Sequence, residues 1–284
     1  MRSVLAALVA GGAATGAAAL AYATLVEPYW FQLRRVELLL RCLPRRLDGL
    51  TVLHLSDLHV HASDPAGQVV VRRGARVPAD LVCLTGDYGD VPAHAHLAAP
   101  LLEAARGRLG TFAVLGNHDR DATPEHQPHR FDDDVGFAVG ATLEARGISV
   151  LYNQAVPLEV DGQRIWIVGL DDPHLFRDDV PRAYRGVPAD EPSIVLAHSW
   201  EPIVDCAPRG ARLFLCGHTH GGQVRLPLLG APLHQTYRDP PRNGGLSWVG
   251  RTALHISHGL GGTHKLRFAV RPQAVLFTLR SLSS

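Results

Sequence analysis

The sequence has almost no excess of charge of either sign. It contains 28 Lys and Arg residues against 27 Asp and Glu residues, which gives a formal net charge of +1. Non-specific binding to nucleic acid requires a wide basic surface that neutralises phosphates. This composition predicts no such surface, so we expect no nucleic-acid partner and disfavour a nuclease.

Cysteine is also scarce. The four cysteines show no C-x-x-C spacing, and Cys83 and Cys216 fall within apolar runs. This placement is typical of small buried core residues rather than of a disulfide framework. Histidine is abundant by contrast, with 16 residues. The 284 residues suffice for one large domain with a substantial core, which we favour over two small domains.

The N-terminal segment has no charge between Arg2 and Glu27. As a helix it would be about 36 Å long, enough to cross a hydrocarbon core of about 30 Å. Ten alanines and three glycines make its apolar driving force modest, and Ala21-Tyr22-Ala23 resembles a signal-peptidase site. We therefore predict that residues 1–30 form either a transmembrane helix that anchors the protein or a cleaved signal.

The charges around this segment predict its orientation. Arg2 alone precedes it, whereas five arginines follow within about 20 residues, at positions 34, 35, 41, 45 and 46. By the positive-inside rule the protein would be membrane-associated, with its main domain in the cytoplasm. An exported form after signal cleavage is the alternative. We predict a lead-in strand and turn over residues 31–49 and the main domain over residues 50–284.

One pattern recurs through the main domain, in which a short apolar run ends in polar residues. The runs are Thr51 to Leu55, Leu81 to Leu84, Thr111 to Leu115, Ile165 to Leu170, Ile194 to Ala197 and Leu213 to Cys216. Apolar runs without alternation are typical of strands buried on both faces. Helix-like stretches such as Leu97 to Arg106 and Phe137 to Arg146 lie between them. The pattern predicts an α/β fold with its site at the carboxyl ends of the strands.

The run that ends at Cys216 is followed by two histidines separated by one residue, His218 and His220. Residues i and i+2 of an extended chain point the same way, so both imidazoles can approach one metal ion. The adjacent glycines permit a tight approach. Taken alone, the motif also fits a pair of surface histidines in a loop.

Other strand ends carry further metal-ligand chemistry. The candidates are Asp57, His59, Asp87, Asn117, His198, His218 and His220. Carboxylates and imidazoles together suit Mn, Fe or Zn, and a carboxylate placed between two ions can bridge them. Each fragment alone also fits a turn, a cap or a satisfied core polar group. Together, in this order after successive strands, they predict a site for two divalent metal ions, with Mn favoured.

The order of these motifs resembles the calcineurin-like metallophosphoesterase superfamily. The matching motifs are Asp57-x-His59, Gly86-Asp87-x-x-Asp90, Gly116-Asn117-His118-Asp119, His198 and Gly217-His218-Thr219-His220. The resemblance implies a four-layer α/β/β/α sandwich over residues 50–284. It also implies one metal held by Asp57, His59, Asp87 and His220, and a second held by Asp87, Asn117, His198 and His218. Asp87 would bridge the two.

Two further stretches are similar to the membrane-associated bacterial phosphodiesterase branch, which includes enzymes similar to UDP-2,3-diacylglucosamine pyrophosphatase. These are Val26-Glu27-Pro28 and Ser257-His258-Gly259-Leu260-Gly261. Protein phosphatases of the superfamily differ after the second and third motifs. Here Val91 follows Asp90 and Asp119 follows His118, so that class is disfavoured.

The resemblance implies a hydrolase that cleaves a phosphodiester or pyrophosphate bond by a metal-activated hydroxide. His118 follows a ligand directly, and we expect it to protonate the leaving oxygen. Asp119 would hold the tautomer of His118 or, alternatively, cap a helix. Asp90 would support the ligands without binding metal, and His61 and His258 are candidates for contact with substrate phosphate.

The substrate is less well defined than the reaction. Phe131, Phe137, Leu175 and Phe176 occur near candidate lid segments, and with the apolar N-terminus they favour a lipid-linked substrate, for example a glycolipid nucleotide. The alternatives are a general or cyclic-nucleotide phosphodiesterase, or a non-catalytic metal-binding scaffold. His118 argues against the scaffold, because a scaffold has no need of a leaving-group residue.

Overall fold

The computed structural model of the chain describes residues 2–89, 91–121, 130–231 and 243–282. Within these ranges the strands form two six-stranded sheets. The strands are β1 Gln32–Leu40, β2 Thr51–Leu55, β3 Leu81–Thr85, β4 Gly110–Val114, β5 Ser149–Val150, β6 Gln154–Val160, β7 Gln163–Gly169, β8 Ser193–Leu196, β9 Ala211–Cys216, β10 Gly245–Val249, β11 Thr252–Ile256 and β12 Gln273–Ser281. The α-helices are α1 Arg2–Ala21, α2 Pro65–Ala75, α3 Ala95–Leu101, α4 Asp133–Glu144, α5 Val180–Ala183 and α6 Ile203–Cys206.

The strand order places the chain's polar loops at a common edge. The first sheet runs β1-β12-β2-β3-β4-β5 and the second runs β10-β11-β9-β8-β7-β6. Strands β2, β3 and β4 are parallel to one another, as are β7, β8 and β9. Parallel neighbours end at the same edge of a sheet, so the loops after these strands converge.

Side chains alternate across the strands and build the core in layers. In β2, Val52 faces the second sheet, whereas Leu53 and Leu55 face the helices. Helices α2, α3 and α4 cover the outer face of the first sheet, and α5 and α6 cover the second. Each fully buried Leu or Val contributes about 1.5–3 kcal/mol through removal from water. The α/β class predicted from the apolar runs is confirmed.

Strand β1 arises from the predicted lead-in segment and pairs in parallel with β12 along its whole length, from Gln32 opposite Gln273 to Leu40 opposite Ser281. The preceding segment is also fixed. The buried carboxylate of Glu27 accepts the backbone amides of Ala269 and Val270 at 3.0 and 2.6 Å. Such charge-assisted hydrogen bonds are stronger than neutral ones, so Glu27 attaches this segment to the approach of β12.

The N-terminal helix α1 is exposed to solvent from Ala10 to Ala21. Across the residues that the structure describes, no helix combines the length and the apolarity needed to cross a membrane. The transmembrane helix predicted for residues 1–30 is therefore not supported. The reason is compositional: alanine and glycine dominate the segment and give it little apolar surface.

Candidate metal centre

The loops after β2 and β3 and the turn after β9 bring four predicted ligands together. Asp57, His59, Asp87 and His220 are all buried, and each offers a ligand atom within 4.8 Å of the others. His59 Nε2 lies 3.4 Å from Asp87 Oδ2 and 3.2 Å from His220 Nε2. His220 Nε2 is 3.7 Å from Asp57 Oδ1. We call these four residues the first ligand group.

A second group of predicted ligands shares Asp87 with the first. We call Asp87, Asn117, His198 and His218 the second ligand group. His198 Nε2 lies 3.3 Å from the same carboxylate oxygen, Asp87 Oδ2, and 3.2 Å from His218 Nδ1. His198 Nδ1 is 2.8 Å from the carbonyl oxygen of Thr85, which can only accept. The Nδ1 atom therefore carries the hydrogen, and Nε2 is directed at Asp87. Asn117 lies half-buried in the 3₁₀ turn after β4.

Several buried atoms that could bind a metal ion have no hydrogen-bond partner among the described residues. They are Asp57 Oδ2, Asn117 Oδ1, His218 Nε2 and His220 Nδ1. A buried polar atom without a partner costs about 1–3 kcal/mol. Divalent cations would pair with these atoms, and the mixture of carboxylate, amide and imidazole donors suits Mn, Fe or Zn. The residues therefore fit a metal centre.

The backbone of the ligand loops is strained. The φ angles are positive at Asp57 (48°), His59 (41°), Asp87 (57°), His218 (68°) and His220 (50°). A left-handed conformation at a residue other than glycine costs about 1–3 kcal/mol and persists mainly at functional sites. Five such residues in one small cluster therefore indicate a functional site. There the required positions of the side chains outweigh the cost in backbone free energy.

One glycine is required by close packing at this site. A Cβ atom at Gly217 would lie 2.0 Å from Ser56 Oγ and 2.1 Å from Asp57 Oδ2. No side chain fits there without displacing Asp57. The glycine that precedes the two histidines thus lets the turn after β9 approach the loop after β2.

The buried charges of the site depend on one another. Burial alone would raise the pKa of Asp87, but His198 and His118 hold it well below its ordinary value. Burial would lower the pKa of His198, and the charge of Asp87 raises it well above the ordinary value instead. Burial lowers the pKa of His218 and His220, so these imidazoles are neutral and suited to metal binding.

The two residues predicted to act in catalysis differ in their surroundings. His118 is half-buried, its ring centroid is 4.9 Å from that of His59, and its backbone amide donates to Asp87 Oδ1 at 3.0 Å. Asp119 is buried, and its carboxylate accepts the amides of Gly116, Asp87 and Tyr88 at 2.8, 2.8 and 2.9 Å. Asp119 therefore holds the backbone of the loops after β3 and β4 in place through hydrogen bonds.

Three further residues were predicted to support the metal ligands or to contact substrate, namely His61, His258 and Asp90. The ring of His61 meets that of His94 edge to face with centroids 4.6 Å apart, and Ser63 Oγ is 2.6 Å from His61 Nδ1. His258 lies beside the turn of His220, and burial together with Arg225 lowers its pKa to about 3. Asp90 falls outside the described residues.

The sequence analysis missed His174, whose ring centroid is 4.4 Å from that of His218. Asp171-Asp172-Pro173-His174 follows β7 as the predicted ligands follow their own strands, and β7 is next to β8 in the sheet. That position was the available signal. Asp172 and Pro173 are also typical turn residues, and the amide of His174 donates to Asp172 Oδ1 at 2.9 Å in such a turn.

A buried arginine joins this loop to the turn that carries His118. Arg120 Nη1 donates to Asp133 Oδ1 at 2.9 Å, and its Nη2 donates to Asp171 Oδ1 at 2.7 Å. The Arg120 side chain is fully buried. It therefore fixes the distance between the loop after β4, a strand of the first sheet, and the loop after β7, a strand of the second sheet.

Comparison with known proteins identifies the family. Residues 50–222 match the family described as calcineurin-like phosphoesterase. The chain belongs to this calcineurin-like phosphoesterase family. It is 31% identical over 261 residues to the phosphodiesterase YaeI of Escherichia coli, with 89% of this chain and 90% of that protein covered.

Two other relatives of this phosphoesterase carry informative names. The UDP-2,3-diacylglucosamine pyrophosphatase LpxG of Chlamydia trachomatis is 25% identical over 280 residues, with 81% of this chain and 83% of that protein covered. A protein of Bos taurus named transmembrane protein with metallophosphoesterase domain is 28% identical over 211 residues, with 66% of this chain and 44% of that protein covered.

Membership of the family makes the chain a metal-dependent phosphoesterase, a hydrolase with a cluster that supports two divalent metals. When bound, two such ions activate water and neutralise charge on phosphoryl oxygens. The protein sets the spacing of the metal-ligand atoms and buries them. It also places the half-buried imidazole of His118 beside them.

Proposed function

We propose that this phosphoesterase hydrolyses a phosphodiester or pyrophosphate bond at a dinuclear centre. The proposal depends chiefly on Asp87, whose Oδ2 atom lies 3.4 Å from His59 Nε2 and 3.3 Å from His198 Nε2. A carboxylate shared by both ligand groups suits a bridge between two ions. The names of the relatives support diesters and pyrophosphates as the substrate class.

In this proposal each ligand group holds one ion. Asp57, His59, Asp87 and His220 hold the first ion, and Asp87, Asn117, His198 and His218 hold the second. His118 is more accessible than the buried histidines around it and donates its backbone amide to Asp87. We assign its imidazole to protonation of the leaving oxygen, a contribution typically worth about 10²–10⁴ in rate.

We further propose a lipid-linked substrate, such as a glycolipid nucleotide, because exposed apolar side chains lie close in sequence to residues of the site. Phe176, two residues from His174, is 89% exposed. Leu228 and Leu229 lie fully or largely exposed in the hairpin that follows the turn of His220. Exposed apolar side chains near a site are a feature of surfaces that bind apolar ligands.

We also propose association with a membrane surface, by contact rather than by a span. Trp30 is half-exposed, and the guanidinium carbon of Arg271 lies 3.5 Å from its ring centroid. An exposed tryptophan beside an arginine suits the interface between water and lipid headgroups. Helix α1 leaves the domain at the same end of β1.

The reaction is tested with bis(p-nitrophenyl) phosphate beside p-nitrophenyl phosphate, using metal-stripped protein resupplied with Mn²⁺. We expect metal-dependent cleavage of the diester, lost in Asp87→Asn and His118→Ala. His96→Ala is the matched control, because His96 is an exposed histidine on α3. Tight metal uptake without turnover of either ester would favour the non-catalytic scaffold.

The substrate is tested by comparing UDP-2,3-diacylglucosamine with the same nucleotide sugar lacking its acyl chains. A lipid-linked substrate predicts faster cleavage of the acylated compound at equal concentration. Equal rates, or preferential cleavage of cyclic nucleotides, would replace the lipid proposal by a general or cyclic-nucleotide phosphodiesterase.

A further inference from the structure

The metal centre is flanked by two imidazoles outside the proposed ligand set. His118 lies beside the first ligand group, with its ring 4.9 Å from that of His59. His174 lies beside the second group, with its ring 4.4 Å from that of His218 and the planes inclined at 43°. Both side chains are half-buried, whereas the histidines of the two groups are buried. Each end of the centre therefore has one imidazole accessible to a ligand.

The loop that carries His174 is held by its own carboxylates, the buried Asp172 and the partly buried Asp171. Asp172 Oδ1 accepts the His174 amide at 2.9 Å, and the Asp172 carbonyl accepts the amide of Arg177 at 3.0 Å. Asp171 receives the guanidinium of Arg120 at 2.7 Å. A side chain on such a fixed backbone is preorganised for contact with a ligand.

We propose that His174 binds the substituent that remains on phosphorus during hydrolysis, and thereby favours diesters and pyrophosphates over monoesters. This inference builds on the proposed function. In an in-line displacement the departing oxygen lies opposite the attacking water and the retained substituent lies to the side, so the two are approached from different directions. With His118 assigned to the departing oxygen at the first group, His174 is placed to contact the retained substituent at the second. A monoester has no such substituent.

The test compares wild type with His174→Ala and His174→Gln in the full chain loaded with Mn²⁺, with His96→Ala as the control. A contact made equally in the ground and transition states changes KM and leaves kcat unchanged. The retained p-nitrophenoxy group is uncharged, so loss of one hydrogen bond to it predicts a rise of about fivefold in the KM for bis(p-nitrophenyl) phosphate in His174→Ala. We expect the KM for the monoester to be unchanged and Gln to restore part of the loss.

Two measurements do not depend on turnover. Metal per chain should match wild type in His174→Ala, and a fall would identify His174 as a metal ligand and overturn the proposal. Calorimetric binding of diphenyl phosphate should weaken in His174→Ala, while binding of phenyl phosphate should not. Equal effects on both compounds, or none, would also overturn it. Wild-type protein that binds diphenyl phosphate but cleaves no diester would contradict the proposed function alone.

Discussion

The backbone amide of Asp87 donates a 2.8 Å hydrogen bond to the carboxylate of Asp119. The same carboxylate accepts the amides of Gly116 and Tyr88, so it joins the loops after β3 and β4. Asp119→Asn replaces one acceptor oxygen by a donor, and each buried amide left without an acceptor costs about 1–3 kcal/mol. We expect a lower melting temperature and weaker metal retention, measured by thermal unfolding and metal analysis.

His118→Ala is the comparison for this variant, since His118 is half-buried. It should lose turnover while keeping the stability and metal content of the wild type. A stable Asp119→Asn protein with full metal content and greatly reduced kcat would instead assign Asp119 to catalysis, as the sequence analysis expected.

Arg120 is the second buried connection that can be tested. The Arg120 side chain is buried but its partners Asp133 and Asp171 are partly exposed, so losing the guanidinium should cost about 1.5–3 kcal/mol, less than breaking a fully buried ion pair. Arg120→Met should therefore lower the free energy of unfolding by that amount in urea titrations. Asp171→Asn in the same chain should recover part of the loss, because it removes the unpaired charge. A loss below about 1 kcal/mol would contradict this role.

The two sheets are joined by a histidine pair that should make the protein sensitive to acid. His54 Nδ1 lies 2.8 Å from His255 Nδ1. Burial lowers the pKa of His54 well below its ordinary value and that of His255 to about 3. The unfolded chain binds protons at these residues below about pH 6.5, whereas the folded chain does not, so stability falls as the pH decreases.

Between pH 6.5 and 5.5 the expected loss is about 1 kcal/mol for each histidine. Urea unfolding of wild type against the double variant His54→Leu and His255→Leu isolates this contribution, because all other titrating groups are shared. The wild type should lose about 2 kcal/mol more than the variant over this range. Parallel pH profiles would show that the pair does not remain neutral in the fold.

Metal removal should destabilise the protein through its ligand loops. Ions that bind only the folded chain stabilise it by mass action, by about 4 kcal/mol at a thousand times the dissociation constant. Chelation should therefore lower the melting temperature by roughly 10 °C for a domain of this size. The shift should reverse with Mn²⁺ and be much smaller in Asp87→Asn. Asp161→Asn, at an exposed turn, should respond as wild type does.

The site was largely predictable because its chemistry is local in sequence. Each apolar run that became a parallel strand was followed within a few residues by its polar loop, as at Asp57 after β2 and Asp87 after β3. Adjacent parallel strands then bring such loops together without further information. This geometry groups Asp57, His59 and Asp87. His220 follows β9 in the second sheet, so its position beside them also depends on how the two sheets pack.

The remaining features depend on contacts between distant segments. Asp119 could not be recognised as an acceptor for Asp87 and Tyr88, because their amides belong to another strand loop. His174 adjoins His218 only because β7 and β9 flank β8 in one sheet. Similarly, the length of α1 was evident from its uncharged run, but a membrane span also requires apolarity, which Ala and Gly do not provide.

The pairing of β1 with β12 has a consequence for biosynthesis. β1 is synthesised well before β12, its hydrogen-bonding partner, because all the other strands lie between them in sequence. β12 also lies between β1 and β2 in the first sheet, so β1 cannot join that sheet until β12 has been made. During that interval the edges of β1 and β2 are unpaired and open to aggregation. A chaperone that shields these edges during that interval should therefore increase the yield of folded enzyme.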